Sequence, residues 1–270
     1  MAPRHLIDAH AHFHWSGSRD DFARYNASRL RAGDAMGIRF HVASILGTWG
    51  RSSPTYFASP ADVVSGNEAM YDIAAQESSR VRAFVHVNPN HTTHALDEIA
   101  RGVERGAIGV KLSASRRADD ALVDAIADEA GQRGLPVLHH IWQHRQREWG
   151  MQEASDATEL VRLAARHPGT NFILAHIGGG GDWAHTIDVI RDQPNVFPDT
   201  SGSGVDRGML DAYLNALGAQ RLLWAADLTL CTGLAKLRAL EVIGMPQEDL
   251  DDICWRNAVR IFPPQSFGLS

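Results

Sequence analysis

The stretch from Leu6 to Phe13 reads Leu-Ile-Asp-Ala-His-Ala-His-Phe and sets a carboxylate and two imidazoles at alternate positions. In an extended strand alternate side chains share a face, so Asp8, His10 and His12 line one side while Ile7, Ala9 and Ala11 line the other. Two imidazole nitrogens converging from one strand face can bind a single divalent ion. A pair of solvated histidines at a frayed terminus is the plain alternative. The apolar lead-in of Leu6 and Ile7 argues for a buried strand instead, and three polar side chains on a buried face need partners from elsewhere in the chain.

Other residues able to bind metal or move protons stand at the ends of apolar runs. His139 and His140 follow Leu135 to Leu138, His176 follows Phe172 to Ala175, and Asp227 follows Leu222 to Ala226. Such groups are costly inside a core unless paired, so their repeated placement points to a site rather than to core filling. His14 lies beyond the expected strand end. The remaining histidines, including His86 and His167, read as solvated or locally hydrogen-bonded. Asp8 is expected to support metal-bound imidazoles by hydrogen bonding. Asp199 is expected either to bind substrate or to cap a turn. Cys231 and Cys254 lack ligand spacing and read as buried small hydrophobes.

The elements that must position these residues alternate along the whole chain. Strand patterns are predicted near residues 6–12, 39–46, 81–87, 107–112, 135–140, 171–176, 195–200 and 221–227, each followed by a helical period. Ser59-Pro60-Ala61-Asp62 is a helix start, with Ser59 as cap, Pro60 in the first turn and Asp62 at the positive dipole end. Strands joined by helix-length connections run parallel, and eight such units in 270 residues predict one (β/α)8 TIM barrel domain spanning residues 1–270. An open doubly wound sheet is the runner-up. In a barrel the site lies at the C-terminal ends of the strands, where His10, His12, His139, His140, His176 and Asp227 all fall.

These pieces together resemble the amidohydrolase superfamily, and within it the amidohydrolase-related branch that holds both hydrolases and nonoxidative decarboxylases. The resemblance rests on IDAHAH, AIGVKL, LPVLHH, FILAHIGGG, VFPDTSG, LLWAAD and NAVRIF, which span nearly the whole chain. It implies His10, His12, His140 and Asp227 as metal ligands or near-ligands, with His176 beside them. His140 is preferred over His139 because it holds the family position four after the proline, which turns His139 to the other strand face. The sequence departs from the pattern at Ala226, where serine is common, and at Leu228, where proline often follows the aspartate.

Composition narrows the partners. With 26 basic and 32 acidic residues the net charge is −6, which gives no sequence-wide reason to bind nucleic acid or membrane. No run approaches the ~20 apolar residues of a membrane helix, and the first ten residues lack a signal-peptide core, so a cytoplasmic location is expected. A small-molecule substrate is the expected partner, with homo-oligomerisation left open. Connections at the expected site mouth carry Trp142 and Arg145, along with Trp15, Trp49, Tyr56, Arg116 and Arg117, a composition suited to a planar or carboxylated molecule.

The expected activity is metal-dependent hydrolysis of a lactone, amide or related carbonyl bond, with one divalent ion, Zn2+ by expectation, activating water. Asp227 and His176 are the candidates for the general base. The alternative is nonoxidative decarboxylation of an aromatic or enoic acid, with protonated Asp227 supplying the proton to carbon. A catalytically silent metal-binding barrel is the third reading. Lys111 invites comparison with strand-four lysines that, carboxylated, bridge two metals in other branches of the superfamily. A single metal and an unmodified Lys111, binding a substrate carboxylate as a point charge, are expected here.

Overall fold

The computed structural model describes residues 2–14, 21–47, 53, 55–141, 155–177, 182–202, 204 and 208–269. Seven strands form one sheet: β1 Ile7–His12, β2 Phe40–Ser44, β3 Val81–Val87, β4 Gly109–Leu112, β5 Val137–His139, β6 Phe172–Leu174 and β7 Val196–Pro198. Their order follows the chain and every neighbouring pair is parallel. The helices between them are α1 Phe22–Met36, α2 Pro60–Gln76, α3 Thr92–Glu104, α4 Ala121–Gln132, α5 Ala157–Arg166 and α6 Trp183–Ile190. After β7 come α7 Met209–Leu217, α8 Leu230–Ile243, α9 Gln247–Asp251 and α10 Asn257–Ile261, with a π-helical turn at Asp252–Arg256 that periodicity does not announce. No described helix is long and apolar enough to cross a membrane.

Local chemistry explains the boundaries. Ser59 accepts the backbone N–H of Asp62 and caps α2, whose first turn holds Pro60 as expected. Asp156 and Glu159 form a reciprocal capping box at α5. Gly37 ends α1 in the left-handed region with φ of 80°, a conformation that costs glycine little.

The eighth strand expected over 221–227 closes the barrel without forming a regular ladder. Leu223 donates to Pro198 and Thr200 donates to Leu223 on the β7 side, while Ala9 donates to Trp224 and Asp227 to His10 on the β1 side. Isolated parallel bridges join Asp199 to Leu223 and Ala11 to Asp227. The ladder fails because intervening N–H groups are diverted. Trp224 N–H goes to Ile253 O, Ala225 N–H to Thr200 Oγ1, and Ala226 N–H to Asp8 Oδ1. The architecture is an α/β TIM barrel with this irregular closing segment.

A second irregularity corrects the reading of Asp8. The β1–β2 register shifts between Asp8 and Ala11, a bulge that breaks strict alternation. Asp8 pairs across the strand with His41 and meets Arg29 of α1, whereas His12 pairs with Ser44. Asp8 therefore faces the helical layer, and it does not hydrogen-bond His10 or His12.

Candidate metal centre

β1 delivers His10 and His12 to the C-terminal end of the barrel, and the closing segment delivers Asp227 between its neighbours β7 and β1. These three residues offer donor atoms that all lie within 4.8 Å of one another. His12 Nε2 is 3.3 Å and His10 Nε2 3.6 Å from Asp227 Oδ1. The histidine side chains are 1 % and 3 % exposed and the Asp227 side chain 17 %, so the carboxyl is the edge of the group that a substrate meets.

The hydrogen bonds on the far side of each ring fix what the near side can do. His10 Nδ1 donates to Asp199 Oδ2 at 2.9 Å, and His12 Nδ1 donates to Ser44 O at 3.1 Å. Burial, chiefly, holds both rings well below the ordinary histidine pKa, so both are neutral at pH 7. With Nδ1 protonated in each, both Nε2 atoms are unprotonated acceptors, and they stand 3.1 Å apart. Two such acceptors repel unless a cation approaches them, as the Lys111 ammonium does at 3.0 Å from His10 Nε2. Two nitrogens about 2.1 Å from one ion, at bond angles of about 90–110°, are about 3.0–3.4 Å apart, so the donor set fits a divalent ion. The carboxylate–imidazole pairing of Asp199 with His10 is the arrangement that orients a metal ligand and fixes its tautomer.

Around this group stand two further imidazoles and two buried lysines. His140 Nδ1 and His176 Nε2 are 3.0 Å apart, His176 Nδ1 is 3.1 Å from Ser201 Oγ and 3.8 Å from Asp227 Oδ2. Lys111 Nζ donates to His10 Nε2 at 3.0 Å. Burial pulls Lys111 down to about 8, opposed by the charges of Asp227 and Asp199. Lys236 of α8 is fully buried and donates to Ser201 O at 2.9 Å and Gly202 O at 2.6 Å, fixing the turn after β7. Gly202 is required there: its φ is 86°, and a Cβ would lie 3.0 Å from His176 Cβ.

Two site residues carry backbone strain. His176 and Asp227 have φ of 72° and 56°, left-handed values that non-glycine residues seldom adopt. Strain of this kind is held only where surrounding contacts over-determine it, and it concentrates at functional sites.

A family model described as Amidohydrolase matches residues 7–263. The chain belongs to the amidohydrolase family. No curated protein matches this family member. Among solved structures it is similar to 2,6-dihydroxybenzoate decarboxylase from Rhizobium, at 17 % identity and a TM-score of 0.71, covering 97 % of this chain and 98 % of that one. It is also similar to 5-carboxyvanillate decarboxylase from Sphingomonas paucimobilis, at 17 % identity and a TM-score of 0.69 over 96 % and 98 % of the two chains. A third is the dihydroxybenzoic acid decarboxylase of Polaromonas sp. JS666 with bound manganese and the inhibitor 2-nitroresorcinol, at 16 % identity and a TM-score of 0.70 over 97 % of each chain. At these identities the likeness establishes a shared fold.

In this amidohydrolase-family chain the predicted residues fall as follows. His10, His12 and Asp227 come together, His176 lies beside them, and Lys111 reaches His10. His140 stands against His176; among the described residues it is not part of the three-donor group. Trp142 and Arg145 lie outside the described residues. Arg116 and Arg117 pair with Asp120, Asp119 and Glu159. Asp199 supports His10 rather than capping alone. His86 is a correction: it is fully buried, with Nε2 3.3 Å from Ser113 Oγ, because its register partner is Lys111 on the interior face. Cys231 is exposed and only Cys254 is buried, since α8 turns Cys231 outward.

The buried histidines make the apoprotein acid-sensitive. Burial lowers His86 to about 3, and His139 and His176 to about 4, against 6.5 in an unfolded chain. Below pH 6.5 the unfolded state binds protons that the folded state refuses, so this stability is complete above 6.5 and is lost as pH falls toward 4. Each such histidine costs about 1.4 kcal/mol per pH unit in that window. Asp227, raised to about 6 by burial, works in the opposite sense between about 3.8 and 6, as one group against three. We expect the thermal midpoint of metal-free protein to fall steeply from pH 6.5 to 4.5. A flat midpoint in calorimetry across that range would show that these rings are not buried neutral.

Proposed function

We propose that this protein is a metal-dependent nonoxidative decarboxylase of a small aromatic carboxylic acid. The observation that carries the reading is its near end-to-end likeness to several enzymes described as decarboxylases of hydroxylated benzoic acids. The site supports it. His10, His12 and Asp227 would hold a divalent ion, which when bound would neutralise and orient a substrate carboxylate and its neighbouring oxygen. Zn2+ and Mn2+ both suit this donor set, and the manganese of the Polaromonas enzyme makes Mn2+ the ion to load first.

The chain's own residues supply the rest. Without metal, burial pushes Asp227 up to about 6 with Lys111 pulling it back, and in the reaction Asp227 would carry the proton to be transferred. In its acid form it donates that proton to the ring carbon bearing the carboxylate. The carbon–carbon bond then breaks, its electron pair returns to the ring, carbon dioxide leaves, and Asp227 remains as carboxylate until water restores the proton. Lys111, cationic and fully buried beside His10, is placed to pair with a substrate anion. Tyr56, whose ring centroid is 5.4 Å from that of His140, offers an aromatic wall.

Hydrolysis is the second reading, favoured by the family's description, with Asp227 or His176 as base for an attacking water. A panel of carboxyl-labelled hydroxybenzoic acids and of lactones, incubated with Mn2+-loaded protein, separates the two. Labelled carbon dioxide with a decarboxylated phenol supports the proposal. Ring-opened lactone without carbon dioxide from any acid would replace it with hydrolysis.

A further inference from the structure

Asp227 sits in a left-handed conformation with φ of 56°, and the residue on each side of it is held through its backbone by a buried side chain. Ala226 N–H donates to Asp8 Oδ1 at 2.9 Å. Leu228 O, on the other side, accepts from Arg29 Nη1 at 3.3 Å. The two clamping side chains are joined to each other, since Arg29 Nη2 donates to Asp8 Oδ2 at 2.9 Å. His41 Nδ1, 3.3 Å from that same oxygen, completes the carboxylate's shell. Both members are buried, with side-chain exposures of 2 % for Arg29 and 0 % for Asp8. From the remaining side, Gly233 of α8 packs so tightly against Ala226 that a Cβ at 233 would lie 2.7 Å from the Ala226 Cβ.

We infer that Asp8 and Arg29 are positioning residues whose ion pair locks the residues on either side of Asp227 and so aims its carboxyl at His10 and His12. This rests on the reading of Asp227 as a metal ligand. A left-handed non-glycine residue persists only where surrounding contacts over-determine it, and the donor at 226 and acceptor at 228 hold this turn together with the Asp227 N–H, which donates to His10 O at 2.7 Å. A buried ion pair is weak evidence for stability, because hydrophobic replacement often serves as well. Its two flanking contacts give this pair a reason to be charged: only a carboxylate can accept from both Arg29 and Ala226 N–H, and only a guanidinium fork can reach both Asp8 and Leu228 O. The bulge after Asp8 serves the same end, since it lets Asp8 face this clamp while His10 and His12, on the same strand, face the barrel interior.

The test measures Mn2+ affinity by electron paramagnetic resonance of the free ion, which reads dissociation constants into the millimolar range, in R29K and D8N, each in the parent and in a D227A background. R29K keeps the charge opposite Asp8 but cannot span to Leu228 O; D8N keeps the shape but loses the charge. We expect each to weaken Mn2+ binding about 10–100-fold in the parent, the range found for groups that orient ligands, and less than about threefold when Asp227 is already absent. Equal weakening in both backgrounds would mean that the pair supports the barrel generally, and no weakening in the parent would mean that Asp227 needs no clamp; either overturns the inference. If one variant does not fold, the other carries the comparison. D227A with parental Mn2+ affinity would instead refute Asp227 as a ligand, a failure of the proposed site rather than of the clamp.

Discussion

Replacing Asp227 with Asn is expected to lower kcat by about 10³-fold, within the range that a positioned general acid or base contributes, while the circular dichroism spectrum stays native. Asn keeps the size and one acceptor oxygen but carries no transferable proton. The carboxyl stands at the exposed edge of the donor group, 3.3 Å from His12 Nε2 and 3.8 Å from His176 Nδ1, so no other described carboxyl among the group's three donors can replace it. If the acid form does the work, as proposed, parental kcat should fall as pH rises through the Asp227 titration, whereas the residual rate of D227N should not follow that limb. Near-parental kcat in D227N at saturating substrate would remove Asp227 from the proton transfer.

His10→Ala and His12→Ala are each expected to abolish divalent-ion binding. Each removes one of the two imidazoles whose Nε2 atoms face each other 3.1 Å apart. Outer partners of metal ligands typically cost 10–100-fold in affinity when lost, and loss of the ligand itself should exceed about 100-fold. Elemental analysis after dialysis should find a single divalent ion per parental chain and essentially none in either variant. Two ions per active chain, or density extending beyond the Lys111 amine, would turn the site into a lysine-bridged binuclear centre. Unchanged metal content in both variants would dissolve the assignment of His10 and His12.

Much of this site is legible in the sequence because strand ends are. Apolar runs closed by His10, His12, His140, His176 and Asp227 announce both the barrel and the layer in which its chemistry lies, and seven of the expected strands pair in chain order. What stays hidden depends on departures from ideal geometry. Alternation places Asp8 with His10 and His12, and only the bulge between Asp8 and Ala11 sends it to Arg29 instead. Arg29 and Lys236 sit within ordinary helical patterns, where nothing local marks a charged residue that will end buried. His86 looks like a solvated histidine until its register with Lys111 turns it inward. The closing segment reads as a strand, yet side chains and a distant carbonyl capture its N–H groups.

On the proposed reading, Asp227 delivers a proton to the carbon that loses carbon dioxide. Turnover of a hydroxybenzoic acid in deuterium oxide by the Mn2+-loaded protein, followed by proton and deuterium resonance of the phenol, tests it most directly. One deuterium per molecule is expected, located only at the carbon that carried the carboxylate, with its appearance slowed about 10³-fold in D227N. Carbon dioxide release at an undiminished rate in D227N, or products of carbonyl hydrolysis with no deuterium on the ring, would contradict it.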